Sequence, residues 1–165
     1  KLLFMGCEFG QAAEWNHEAS LDWACLDTSP RHRGVLQLNA DLNQLYQGRS
    51  ELHELDFSSD GFQWLDVKDH EKSVFSFFRK NSLEESILCV FNMTPSIQAG
   101  YRLGVSDPGL WTEILNTDAE IYGGSGVGNL GAVATQEISS HGRPYSLNLV
   151  LPPLAALYLK MPGSV

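Results

Sequence analysis

Three sets of residues in this 165-residue chain have types and spacings that could do chemistry. The first is a polar loop from Gly6 to Ser20, holding Glu8, Gln11, Glu14, Trp15, Asn16 and His17. Two carboxyl groups on one loop could act as acid and base if a pocket raised the pKa of one of them. Ion pairing or loop capping would use Glu8 and Glu14 equally well. The second set is the glycine-rich stretch Gly123–Gly131, where Gly126, Gly128 and Gly131 match the spacing of a dinucleotide fingerprint. That site needs a strand before it, a helix after it and an acidic residue about 20 positions on. Here Ala132-Val-Ala-Thr135 leads into another strand candidate, so the stretch reads as a sheet connection. The third set is the metal-ligand types. Cys7, Cys25 and Cys89 are far apart and the five histidines are scattered. No metal site and no cofactor are expected, and the cysteines read as reduced thiols of a cytoplasmic protein.

Composition narrows the function classes. The net charge of -9 argues against nucleic acid, whose binding needs clustered Lys and Arg. No apolar run approaches the roughly 20 residues of a membrane helix, so no membrane partner is expected. With 43% hydrophobic and 19% charged residues, the chain reads as globular rather than disordered.

The elements that must position these residues fall into two groups. Leu2-Leu-Phe-Met5 reads as a short buried strand with no turn or cap before it, a first hint of a fragment. Ser29-Pro30 reads as a helix start, with serine capping free amides and proline at the first position. Val35, Leu38, Leu42 and Leu45 share one helical face, and the helix should stop near Gly48. Strand, polar loop and amphipathic helix together resemble one βα unit of a barrel. From about residue 50 the pattern changes to short strands. Candidates are 62–67, 73–78, 86–91, 101–105, 111–115, 134–138, 145–150 and 154–160. Turn residues at 58–61, 107–109 and 152–153 separate them, as in an antiparallel β-sandwich. The expected fold is therefore mainly β: a C-terminal antiparallel β-sandwich (50–165) preceded by the last strand and helix of a (β/α)8 barrel (1–49).

Several stretches, taken in order, resemble the C-terminal part of bacterial glycogen branching enzymes of the α-amylase superfamily. They include Lys1-Leu-Leu-Phe-Met-Gly-Cys-Glu-Phe-Gly-Gln11, Glu14-Trp-Asn-His17, Ser20-Leu-Asp-Trp23, Leu52-His-Glu-Leu-Asp56 and Gly61-Phe-Gln-Trp64. Further on come Asn116-Thr-Asp118, Tyr122-Gly-Gly-Ser-Gly126, His141-Gly-Arg143 and Leu151-Pro-Pro-Leu-Ala155. Cys7 departs from the small residue or Asn usual in that family. The resemblance implies cleavage of an α-1,4 bond in a glucan and transfer of the released chain to a 6-hydroxyl. Such retaining chemistry needs two carboxyl groups about 5 Å apart. In the family they lie on earlier barrel strands whose motifs are absent here, so no catalytic residue is assigned to this chain. The implied partners are α-glucan, such as glycogen or amylose, and the catalytic barrel. The uncovered helix 31–47 is a surface through which the chain could self-associate.

Indole rings stack on the C–H faces of sugars, which gives the tryptophans separate weight. Trp15 lies on the rim loop and is a candidate sugar contact with Glu8, Gln11 and Glu14. Trp23 and Trp111 are expected in the core. Trp64 follows Phe62 by two and shares its sheet face, which is either sandwich core or an aromatic platform for glucan. Two other readings stay open: a glucan-binding module without turnover, and part of a related amylase-superfamily hydrolase.

Overall fold

The computed structural model describes residues 2–163. Helices come first: α1 (Cys25–Thr28) and α2 (Pro30–Gly48). Eight strands follow: β1 (Phe62–Asp66), β2 (Val74–Lys80), β3 (Ser86–Asn92), β4 (Gln98–Val105), β5 (Leu110–Asn116), β6 (Ala132–Ala134), β7 (Tyr145–Leu151) and β8 (Ala155–Lys160). A six-stranded sheet has the order β1-β2-β3-β8-β5-β6, and β4 pairs with β7 in a second sheet. The pairings are antiparallel. The chain is mainly β, as expected.

Period-two alternation builds the core between the sheets. On β7, Leu147, Leu149 and Leu151 are buried while Asn148 is exposed. They meet Val74 and Phe78 of β2, Leu88 and Val90 of β3, and the fully buried Trp111 of β5. The central strand β3 is apolar on both faces because both are covered. Its Ile87 and Cys89 point the other way, into a second cluster with Leu52, Leu45 and Tyr46. Helix α2 thus packs on the outer face of the large sheet. Among the described residues, no helix is long and apolar enough to cross a membrane.

The structure corrects four expectations. Leu2–Met5 forms no strand, and all four residues are exposed. A lone apolar strand is held only by neighbours that complete its hydrogen bonds, and no described strand pairs with it. Ser29 occupies the N-cap of α2 but makes no side-chain cap bond; proline at the first helical position leaves one amide fewer to satisfy. The strand expected at 134–138 lies instead at Ala132–Ala134, and Gln136 makes only an isolated bridge to Ser146. Trp23, expected in the core, is 51% exposed, with one face tilted on Phe9 at 4.6 Å. The face carrying Val35, Leu38, Leu42 and Leu45 is half-buried along its length.

Candidate functional site

The loop preceding α2 is held by its own side chains. The Glu8 carboxylate accepts the Gly6 amide at 2.7 Å, so it closes a backbone turn. Gln11 spans the loop: its amide group donates to the Ala13 carbonyl at 3.1 Å, and its oxygen accepts the Asp22 amide at 3.3 Å. Gly6 has φ 91°, a left-handed conformation that favours glycine, and the Gln11 side chain packs 2.5 Å from where a Cβ would stand. Trp15 is 40% exposed, with an edge-on Phe4 at 5.4 Å. Glu14 is exposed beside it. Glu8, Gln11, Glu14 and Trp15 therefore share one loop, but Glu8 and Gln11 also have local structural work there.

Helix α2 carries that loop. Asn39 donates to the Glu8 carbonyl at 3.0 Å and to the Val35 carbonyl one turn back at 3.0 Å. His32 Nδ1 lies 2.9 Å from the Phe9 carbonyl oxygen. A carbonyl only accepts, so Nδ1 carries the proton there. Helix α2 is itself tied to the sandwich. Tyr122, at the head of the glycine-rich stretch, donates to the Asp41 carboxylate at 2.7 Å. Burial pushes the Tyr122 phenol up to about 12, and the bond to Asp41 adds to the shift. Near the other end, Tyr46 donates to Asp56 at 3.0 Å, and Asp56 pairs with Arg79 of β2.

Trp64 stands on a different element. It is 53% exposed on the outer face of edge strand β1, and so lies outside the sandwich core. Antiparallel register sets Trp64 opposite Phe77 and Phe75 opposite Phe91. The rings pack in sequence: Phe62 meets Trp64 edge-on at 4.8 Å, Trp64 meets Phe77 at 5.6 Å, and Phe75 stacks on Phe91 at 4.7 Å. This aromatic strip runs toward a cleft of 530 Å³ lined by Leu42, Leu45, Tyr46, Phe77 and Tyr158. Such rings present flat faces suited to the C–H faces of a sugar. The Phe62–Trp64 pair was visible in the sequence, but its continuation through Phe77, Phe75 and Phe91 crosses strands and depends on register. His32, Asn39 and Tyr122 were missed too, since each acts through a contact distant in sequence. Among the described residues, no group of three or more His, Cys, Asp or Glu is arranged to hold a metal ion.

Residues 64–162 match the family described as the alpha amylase C-terminal all-beta domain. The chain is 54% identical over 159 residues to the 1,4-alpha-glucan branching enzyme GlgB of Cereibacter sphaeroides, a match over 96% of this chain and 22% of that protein. The protein of the same name from Aquifex aeolicus is 55% identical over 164 residues, 99% of this chain and 26% of that protein. The Pseudomonas putida protein of that name is 54% identical over 160 residues, 97% of this chain and 22% of that protein. The chain thus spans about a quarter of the length of these curated relatives. Among solved structures it is similar to an alpha-amylase from H. orenii, with 12% identity and a TM-score of 0.46, covering 77% of this chain and 20% of that one.

Proposed function

The chain belongs to the family of the alpha amylase C-terminal all-beta domain, and from that premise we propose that it is the C-terminal part of a 1,4-α-glucan branching enzyme. The observation that carries this reading is the 53–55% identity to proteins of that name over nearly the whole chain. The longer protein would cleave an α-1,4 bond in a glucan and transfer the freed chain to a 6-hydroxyl, making an α-1,6 branch in glycogen. A retaining transfer needs a nucleophilic carboxylate and an acid/base partner about 5 Å apart. Those two groups lie in the part of the longer protein outside this chain. Residues 1–49 belong to the last βα unit of its (β/α)8 barrel, where Leu2–Met5 becomes a strand only when neighbouring barrel strands complete its hydrogen bonds, and residues 50–165 are its β-domain. The half-buried face of α2 and the exposed Leu2–Met5 segment then receive the rest of the barrel; without it, the same face lets the chain self-associate. A cytoplasmic location is supported by three free cysteines.

Within that enzyme the chain supplies glucan contacts rather than chemistry. Trp15 and Trp64 offer exposed indole faces, and Glu8, Gln11 and Glu14 edge the same rim loop as Trp15. The exposed aromatic strip around Trp64 also favours a second reading, a glucan-binding module without turnover. Both readings are tested by titrating the chain with maltoheptaose while following tryptophan fluorescence. Saturable quenching that is reduced in Trp15→Ala and Trp64→Ala is the expected result. If the double variant bound like the parent, neither indole would be a glucan contact.

A further inference from the structure

We infer that His32 and Asn39 are positioning residues that set the rim loop from helix α2, and that Tyr122 extends this control to the β-sandwich. The inference about glucan rests on the rim-loop reading above; the positional relay does not. Each link is a contact in the structure. The glycine-rich turn meets α2 through the Tyr122 hydroxyl on Asp41. It also meets the helix through the Tyr122 backbone, which lies so close to Gly34 that a Cβ there would come within 2.3 Å of the Tyr122 carbonyl oxygen. Helix α2 then reaches back with Asn39 to the Glu8 carbonyl and with His32 to the Phe9 carbonyl. Phe9 is fully buried, so its backbone is pinned from both sides: by packing on the side chain and by the imidazole on the carbonyl. Those two carbonyls sit between Gly6, whose amide the Glu8 side chain holds, and Gln11. Moving the turn at Tyr122 therefore moves the helix, and moving the helix moves the loop that carries Glu8, Gln11 and Trp15.

Two features distinguish this from ordinary packing. First, both bonds go to backbone carbonyls of adjacent residues, so they fix the path of the loop whatever its side chains contact. Second, Asn39 also bonds the Val35 carbonyl, which locks its amide group in the orientation that serves the loop. A carboxamide whose nitrogen donates to both carbonyls loses little further freedom when the loop is gripped by a ligand, which is the general advantage of preorganisation.

The test is amide hydrogen exchange on the full 165-residue chain. The informative amides are Cys7, Gly10 and Gln11, whose hydrogen bonds to Phe4, Cys7 and Gly6 carbonyls define the loop. Asn39→Leu removes the donor at similar volume. Losing one such bond should speed exchange of those loop amides about fivefold, with the amides of β3 and β8 unchanged. Asn39→Gln, which keeps the carboxamide donor, should recover part of the protection; Tyr122→Phe should loosen the same loop amides without touching the loop directly. Unchanged loop exchange in Asn39→Leu and Tyr122→Phe would overturn the inference, as would a uniform loss of protection across the sheet. Maltoheptaose affinity of the same variants separates the two readings. If the loop loosens and affinity falls, both stand. If the loop loosens and affinity holds, the positioning relay stands and the rim loop is no glucan contact.

Discussion

Replacing Gly34 by alanine sets two effects of opposite sign against each other. Inside an exposed helix, glycine to alanine gains about 0.8–1.0 kcal/mol, because alanine loses less backbone entropy. Gly34 is the fifth residue of α2 and is buried against the turn that follows β5. A Cβ there would stand 2.3 Å from the Tyr122 carbonyl oxygen, 2.6 Å from its carbonyl carbon and 3.0 Å from its Cα. Ordinary contact between such atoms needs about 3.5–4.0 Å, so helix and turn must part by roughly 1 Å. The atoms in the way are backbone, not the end of a flexible side chain. Overpacking of this kind costs about 1–3 kcal/mol. The same separation stretches the 2.7 Å bond from Tyr122 to Asp41 beyond bonding range, and a lost bond to a charged group costs about 1.5–3 kcal/mol at most. The balance is a net destabilisation of about 1.5–5 kcal/mol once the helix gain is set against both costs. Urea unfolding reads it directly: with a slope of about 2 kcal/mol per molar, the midpoint should fall by roughly 0.8–2.5 M. Gly48→Ala is the control, since nothing lies within 4 Å of its added carbon. That variant should be neutral or gain up to about 1 kcal/mol. A Gly34→Ala chain as stable as Gly48→Ala would refute the close approach of helix and turn.

Trp111 is fully buried between the sheets and donates its indole N–H to the Asp107 carbonyl at 3.1 Å. Trp111→Ala should therefore cost about 3–5 kcal/mol in urea unfolding, a large part of the stability of a domain this size. Tyrosine titration followed by absorbance should show Tyr122 and Tyr158 ionising near 12 rather than at the ordinary 10, burial being the main cause for both. Because folding raises these values, the stability they confer is complete below pH 10 and is lost as pH rises through about 12. Unfolding should accordingly steepen across that alkaline window, and Tyr122→Phe should flatten it. Burial likewise pushes the Cys89 thiol up to about 12. A thiol reagent at about pH 8 should label exposed Cys7 in the native chain and reach Cys89 only after denaturation.

The strands were largely legible because their signal is local. Ser86–Asn92 reads as a continuous apolar run because both its faces are covered, by the second sheet and by α2. Tyr145–Leu151 alternates because one face is wet. Helix α2 was legible from its apolar spacing and from Pro30 at its start. What failed depended on partners. Leu2–Met5 has the composition of a buried strand, yet composition cannot provide the neighbours that would hold it. Trp23 has the bulk of a core residue but packs only one face on Phe9. Trp64 and Phe62 could be placed on one sheet face, but which face met water depended on β1 being an edge strand. The grip of Asn39 and His32 on the loop joins residues 31 and 23 positions apart in sequence, and nothing in either local pattern announces it.

The proposed function has this chain contribute glucan contact and support, with the branching carboxylates elsewhere in a longer protein. Its most direct test is incubation of the chain with amylose, followed by assay for new α-1,6 linkages, on a sample shown to be folded by a cooperative urea transition. The account predicts that no α-1,6 linkages form. Their appearance in a sample free of other enzymes would contradict it, because a complete acid/base and nucleophile pair would then have to reside within these residues.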